Sequence, residues 1–91
     1  MLIALDTETT GIDLFHGAKP FAVSTCDEKG ITNFWEWEVD PTTRQPIIYQ
    51  DDIEDLCDYI DGSTLIFHNI KFDVRALRNI GINLEFKNIS P

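Results

Sequence analysis

The stretch Leu2-Ile3-Ala4-Leu5-Asp6-Thr7-Glu8-Thr9-Thr10-Gly11 decides how the chain reads. Four apolar residues in a row, ending at a carboxylate, suit a strand buried on both faces, as in the sheets of α/β proteins. Thr9, Thr10 and Gly11 then break it. Side chains of an extended chain repeat every second residue, so Asp6 and Glu8 leave on the same side. Two carboxylates that close repel each other and shift each other's pKa. A divalent cation relieves the repulsion, and Mg²⁺ or Mn²⁺ prefers oxygen ligands. An Asp-x-Glu pair is common on solvated surfaces. What distinguishes this one is its place directly behind a buried apolar run.

The rest of the chain supplies elements in α/β alternation. After a loop containing His16, Gly17 and Pro20, Phe21–Cys26 reads as a second strand and Ile31–Val39 as a third. Glu28-Lys29-Gly30 lies between them, and a gap this short that includes Gly favours a hairpin. In the third strand Trp35, Trp37 and Val39 share one face, and the two tryptophans read as core. Asp40 to Pro46 reads as a loop. Asp51 to Asp61 reads as a helix with Ile53, Leu56, Cys57 and Ile60 in one stripe. The pair Asp51 and Glu54 resembles a capping box, and Gly62 suits the helix end. Thr64–His68 is a short apolar strand. Asn69 suits the N-cap of a second helix, Ile70 to Ile80, closed by Gly81, with Ile70, Val74 and Leu77 as its buried stripe. Residues 83–91 are weakly strand-like.

The expected order is therefore β-β-β-α-β-α. A strand, a helix and a further strand imply a crossover, with the fourth strand parallel to the first. Both strands then present their C-terminal ends at one sheet edge, where sites form in open α/β sheets. The first ends at Asp6 and Glu8, the fourth at His68 and Asn69. Asp73, in the first turn of the second helix, lies four residues after Asn69 and on the same helical face. A carboxylate there favours the helix N-terminus electrostatically, and Asn69 taken alone is a cap. Asp73 nevertheless falls inside the apolar stripe and toward the edge where Asp6 and Glu8 emerge, which suits a third ligand.

Composition narrows the partners. The 91 residues suit one domain, and a hydrophobic fraction of 43% with 11% aromatics argues for a folded chain. Cys26 and Cys57 form no CxxC pair, so neither a disulfide nor a zinc site is expected, and both read as reduced, buried thiols of a cytosolic protein. The N-terminus lacks a basic n-region and a cleavage site, and no apolar run approaches a membrane span. The net charge is −9, from sixteen Asp and Glu against seven Lys and Arg. Nucleic-acid binders usually carry a basic patch. Clustered carboxylates that hold cations also meet phosphates, however, and charge alone leaves the question open.

Leu5-Asp6-Thr7-Glu8-Thr9-Thr10-Gly11 resembles the first motif of the DEDD 3′–5′ exonucleases, and His68-Asn69-Ile70-Lys71-Phe72-Asp73 resembles their second. The sequence is most similar to the proofreading domain of family A DNA polymerases, including phage ones, and Thr10 to Phe21 adds to the likeness. The resemblance implies a ribonuclease-H-like fold and a two-metal mechanism with Mg²⁺ or Mn²⁺. By matching position it gives Asp6 a bridging place between the metals, Glu8 one metal, and Asp73 a role through a metal-bound water. Thr7, Thr9, Thr10 and Gly11 fall on the substrate side, the last three around the 3′-terminal nucleotide. Asn69 would orient the site or contact the terminal phosphate, and Phe72 would pack beneath it. The product would be a nucleoside 5′-monophosphate.

The family also needs a fourth carboxylate in a third motif, spaced YxxxD or HxxxxD. Residues 82–91 contain no Asp, Tyr or His, and Glu85 does not fit the spacing. The resemblance therefore casts residues 1–91 as the N-terminal portion of one exonuclease domain, with the C-terminal part of the fold lacking. Its partners would be a single-stranded DNA 3′ end and a DNA polymerase or a second chain that completes the domain. Its setting would be the cytoplasm of a bacterial or phage-infected cell. Two other readings stay open: a non-catalytic module that binds a DNA end or a polymerase, and an exoribonuclease of the same fold, since nothing here reports on the 2′-hydroxyl. His68 reads as a strand-end hydrogen-bonding residue. His16 is compatible with a substrate contact or plain exposure.

Overall fold

The computed structural model describes residues 1–9 and 18–84. It contains β1 (Leu2–Thr9), β2 (Pro20–Asp27), β3 (Thr32–Glu36), α1 (Gln50–Ile60), β4 (Thr64–Phe67) and α2 (Ile70–Arg78), in the order expected from the sequence. The four strands form one mixed sheet in the order β3-β2-β1-β4. β1 pairs antiparallel with β2 and parallel with β4, and β2 pairs antiparallel with β3. The parallel pairing of β1 with β4, set Leu5 against Phe67, brings their C-terminal ends to one edge.

The β2–β3 hairpin closes through Asp27. Its Oδ1 accepts from the backbone N–H of Lys29 at 2.9 Å and of Ile31 at 3.0 Å. Gly30 takes φ +82°, a left-handed conformation that a three-residue hairpin loop requires and Gly adopts without steric cost. β3 is shorter than the sequence pattern suggests. It ends at Glu36, and Val39 leaves the sheet to form an isolated bridge with Pro46. The intervening loop is held by Asp40, whose Oδ1 accepts from Thr42 N at 2.8 Å.

The core lies on one face of the sheet. Ile3 and Leu5 of β1, Val23 of β2 and Leu65 of β4 meet Ile53, Leu56 and Ile60 of α1 and Leu77 of α2. Fully burying such side chains contributes about 1.5–3 kcal/mol each. The Leu2–Leu5 run is thus not buried on both faces as expected: Ile3 and Leu5 are buried, while Leu2 and Ala4 are exposed. The reason is that the helices of the described residues contribute their apolar residues to a single core on the side of Ile3 and Leu5. The opposite face leaves Leu2, Phe34 and Ile66 exposed.

Both helices carry small corrections. α1 begins after Tyr49 and has no side-chain cap, so Asp51 and Glu54 do not form a capping box. Asp51 and Asp52 still sit in the first turn, where the macrodipole favours acids. Asp52 has a second role, since its Oδ2 accepts from Trp37 Nε1 at 2.8 Å and ties the chain after β3 to α1. Trp37 is buried, and Trp35 is half-buried against Tyr59 with ring centroids 5.8 Å apart, so the core reading of both tryptophans stands. In α2 the buried residues are Asp73, Ala76 and Leu77, while Ile70 is exposed and Val74 half-buried. The helix is turned so that Asp73, rather than Ile70, faces the core.

α2 ends at Arg78 with Asn79 as its C-cap, two residues before the expected Ile80, and the chain leaves it through Gly81. Ile82 N donates to Leu77 O at 3.0 Å and Gly81 N to Arg78 O at 2.9 Å, the paired bonds of a Schellman ending. Gly81 takes φ +91° to make them. Cys26 and Cys57 are free thiols, half-buried rather than buried. No helix among the described residues is long and apolar enough to cross a membrane.

Candidate active site

The two acidic motifs meet where β1 and β4 end. β1 carries Asp6 and Glu8 on the face opposite Ile3 and Leu5, and both carboxylates are exposed. Asp6 stands opposite Ser24 and Glu8 opposite Ala22 of β2. Asp6, Ser24 and His68 belong to the lining of an open cleft of about 610 Å³ that runs along the uncovered face toward Phe34 and Ile66. His68 is exposed and follows directly on β4, beside the carboxylate of β1.

The helix side of the site is built by Asn69 and Asp73. Asn69 caps α2, its side chain accepting from Phe72 N at 3.4 Å. Asp73 N donates to Asn69 O at 2.9 Å. Asp73 itself is 1% exposed. Its Oδ1 accepts from the Thr7 hydroxyl at 2.7 Å. Its Oδ2 is buried and makes no hydrogen bond among the described residues. Burial pushes the Asp73 carboxyl above its ordinary pKa. The Thr7 hydroxyl opposes that rise, the nearby charge of Asp6 adds to it, and the backbone amides of Thr7 and Asn69 oppose it again.

The site therefore has two sides. Asp6 and Glu8 face solvent, whereas Thr7 and Asp73 are buried on the core side. Thr7, which the resemblance groups with the substrate side, has its hydroxyl engaged by Asp73. Thr9 ends β1 at a register irregularity after Glu8 and is partly exposed. Phe72 is half-buried. Thr10, Gly11, His16 and Glu85 lie outside the described residues. Among the described residues no three His, Cys, Asp or Glu side chains are grouped so that they could hold a metal ion. The donor chemistry of Asp6 and Glu8 suits a hard cation.

Sequence reasoning missed the Thr7–Asp73 bond, although its signal was present. If Asp6 and Glu8 share one side of a strand, Thr7 shares the other with Ile3 and Leu5. An Asp inside the apolar stripe of a helix belongs to that same core side. Parity thus places Thr7 and Asp73 on the same, core side of the sheet, and packing between β1 and α2 makes them partners.

No family model matches the chain. A DNA polymerase, DpoZ of Salmonella phage PMBT28, is 30% identical over 82 residues. The chain is similar to part of a phage DNA polymerase. The matched region takes in 90% of this chain, which spans 12% of the polymerase's length.

Proposed function

We propose that these residues form the N-terminal part of a 3′–5′ exonuclease domain of the proofreading type, which removes nucleoside 5′-monophosphates from DNA 3′ ends. The observation that carries this reading is convergence. The Asp6 and Glu8 end of β1 and the Asp73 end of α2 come to one sheet edge through the parallel β1–β4 pairing, and the Thr7–Asp73 bond joins them. The similarity to a phage DNA polymerase over most of the chain supports the same setting.

In this reading Mg²⁺ or Mn²⁺ supplies charge stabilisation at the transferred phosphate. Asp6 and Glu8 would be its exposed oxygen donors, with Asp73 behind them, and a further carboxylate in a third motif, whose spacing Glu85 does not fit, would complete the set. The cleft beside Asp6 leaves room for a terminal nucleotide, with His68 and Ser24 able to hydrogen-bond to it. Thr9, Thr10 and Gly11 follow the carboxylates in sequence and would hold the 3′ end, while Asn69 and Phe72 would support it from α2. The partners are a single-stranded DNA 3′ end and the polymerase, or a second chain, that contributes the missing carboxylate.

A second reading, a non-catalytic module that binds a DNA 3′ end or a polymerase, is favoured by one observation: no three potential ligands are grouped among the described residues. Incubation with 5′-labelled single-stranded DNA and Mn²⁺, beside an Asp6→Ala control, separates the two. A ladder of shortened products from the native chain, absent in the control, supports the exonuclease. Retention of the 3′ end without shortening supports the binding module.

A further inference from the structure

Thr7 lies between the two exposed carboxylates of β1, yet its side chain is 5% exposed and turned to the opposite side. Its hydroxyl donates to Asp73 Oδ1 at 2.7 Å across 66 positions of sequence. That is an ordinary length for an O–H donor and an oxygen acceptor. The helix backbone fixes where the Asp73 Cα sits, through Asn69 and the first turn. It does not fix how the carboxylate is rotated. With Oδ2 unpartnered among the described residues, the Thr7 hydroxyl is the side-chain contact on that carboxylate, and together with the backbone amides of Thr7 and Asn69 it sets the rotation. Thr suits the task because a β-branched residue in a strand has a restricted χ1, so its hydroxyl direction is held by the backbone. Valine has the same shape without the donor. Serine keeps the donor.

We propose that Thr7 is a positioning residue, which holds the Asp73 carboxylate in one orientation relative to Asp6 and so couples the two acidic motifs, and that it makes no contact with substrate. Its consequence for turnover rests on the exonuclease reading above, while its effect on Asp73 does not.

The test uses ¹³C-labelled chain and the variants Thr7→Val, Thr7→Ser and Thr7→Ala at a fixed neutral pH. The side-chain carboxyl resonance of Asp73 moves in Thr7→Val and stays near its native position in Thr7→Ser, while the other carboxyl resonances hold. Thr7→Ala serves the same purpose if the valine variant does not fold. In protein that degrades labelled DNA, Thr7→Val lowers kcat about ten-fold or more with KM unchanged, and Thr7→Ser recovers most of it. An Asp73 resonance that stays put in Thr7→Val or Thr7→Ala overturns the proposal, as does an unchanged kcat in an active protein. If no protein degrades DNA but the Asp73 resonance moves as expected, the exonuclease reading fails and the positioning of Asp73 by Thr7 stands.

Discussion

Replacing Thr7 with Val is expected to destabilise the fold in a way that depends on pH. The substitution keeps the side-chain shape and β-branching, so it opens no cavity and leaves the strand preference intact. What it removes is the 2.7 Å bond to Asp73 Oδ1, leaving a carboxylate that is 1% exposed with neither side-chain oxygen hydrogen-bonded to a side chain. A hydrogen bond to a charged group is worth about 1.5–3 kcal/mol. In a domain of this size each kcal/mol moves Tm by about 4–8 °C, so the expected fall is on the order of 10 °C.

The pH sign follows from Asp73. Its folded pKa lies above the ordinary value because burial, aided by Asp6, outweighs the Thr7 bond. A raised folded pKa gives stability that is full below the unfolded pKa of about 3.9 and is lost as pH rises through the folded value. Removing the Thr7 donor raises the folded pKa further. The deficit of the variant is therefore small in acid and larger once Asp73 must ionise. Urea unfolding followed by the fluorescence of Trp35 and Trp37, at about pH 4 and about pH 8, measures it. A deficit that is equal or greater in acid, or one below about 0.5 kcal/mol at the higher pH, refutes the reasoning.

Asp52→Ala strands the buried Trp37 indole N–H and should cost about 1–3 kcal/mol in urea unfolding. Gly81→Ala meets nothing within 4 Å but must hold φ +91°, so a purely backbone cost of about 1–2 kcal/mol is expected in thermal melts. Phe34→Ser combined with Ile66→Thr removes two exposed apolar side chains from the open sheet face; reduced self-association by sedimentation, with Tm little changed, is the expected outcome.

Much of the architecture was legible because it rests on local signals. The Asp27–Gly30 hairpin, the Asn69 cap and the Gly81 ending each depend on residues within a few positions of one another. The crossover rule then made β4 parallel to β1, and that pairing brought Asp6 and Asp73 to one edge. The similarity to part of a phage DNA polymerase agrees with the polymerase side of the sequence resemblance.

Tertiary structure decided what pattern alone left open. An apolar run such as Leu2–Leu5 states that a strand is hydrophobic, but whether one face or both are covered depends on where the helices pack. Here α1 and α2 share one core with Ile3 and Leu5, so Leu2 and Ala4 stay exposed. The rotation of α2 is a second such decision, since its pattern allowed Ile70 or Asp73 to turn inward. Asp73 turned inward, where Thr7 offers a hydroxyl that offsets part of the burial cost, whereas Ile70 lies exposed. Sequence spacing fixes which residues share a face of one element; only packing between elements determines which face is buried and which partner a buried carboxylate finds.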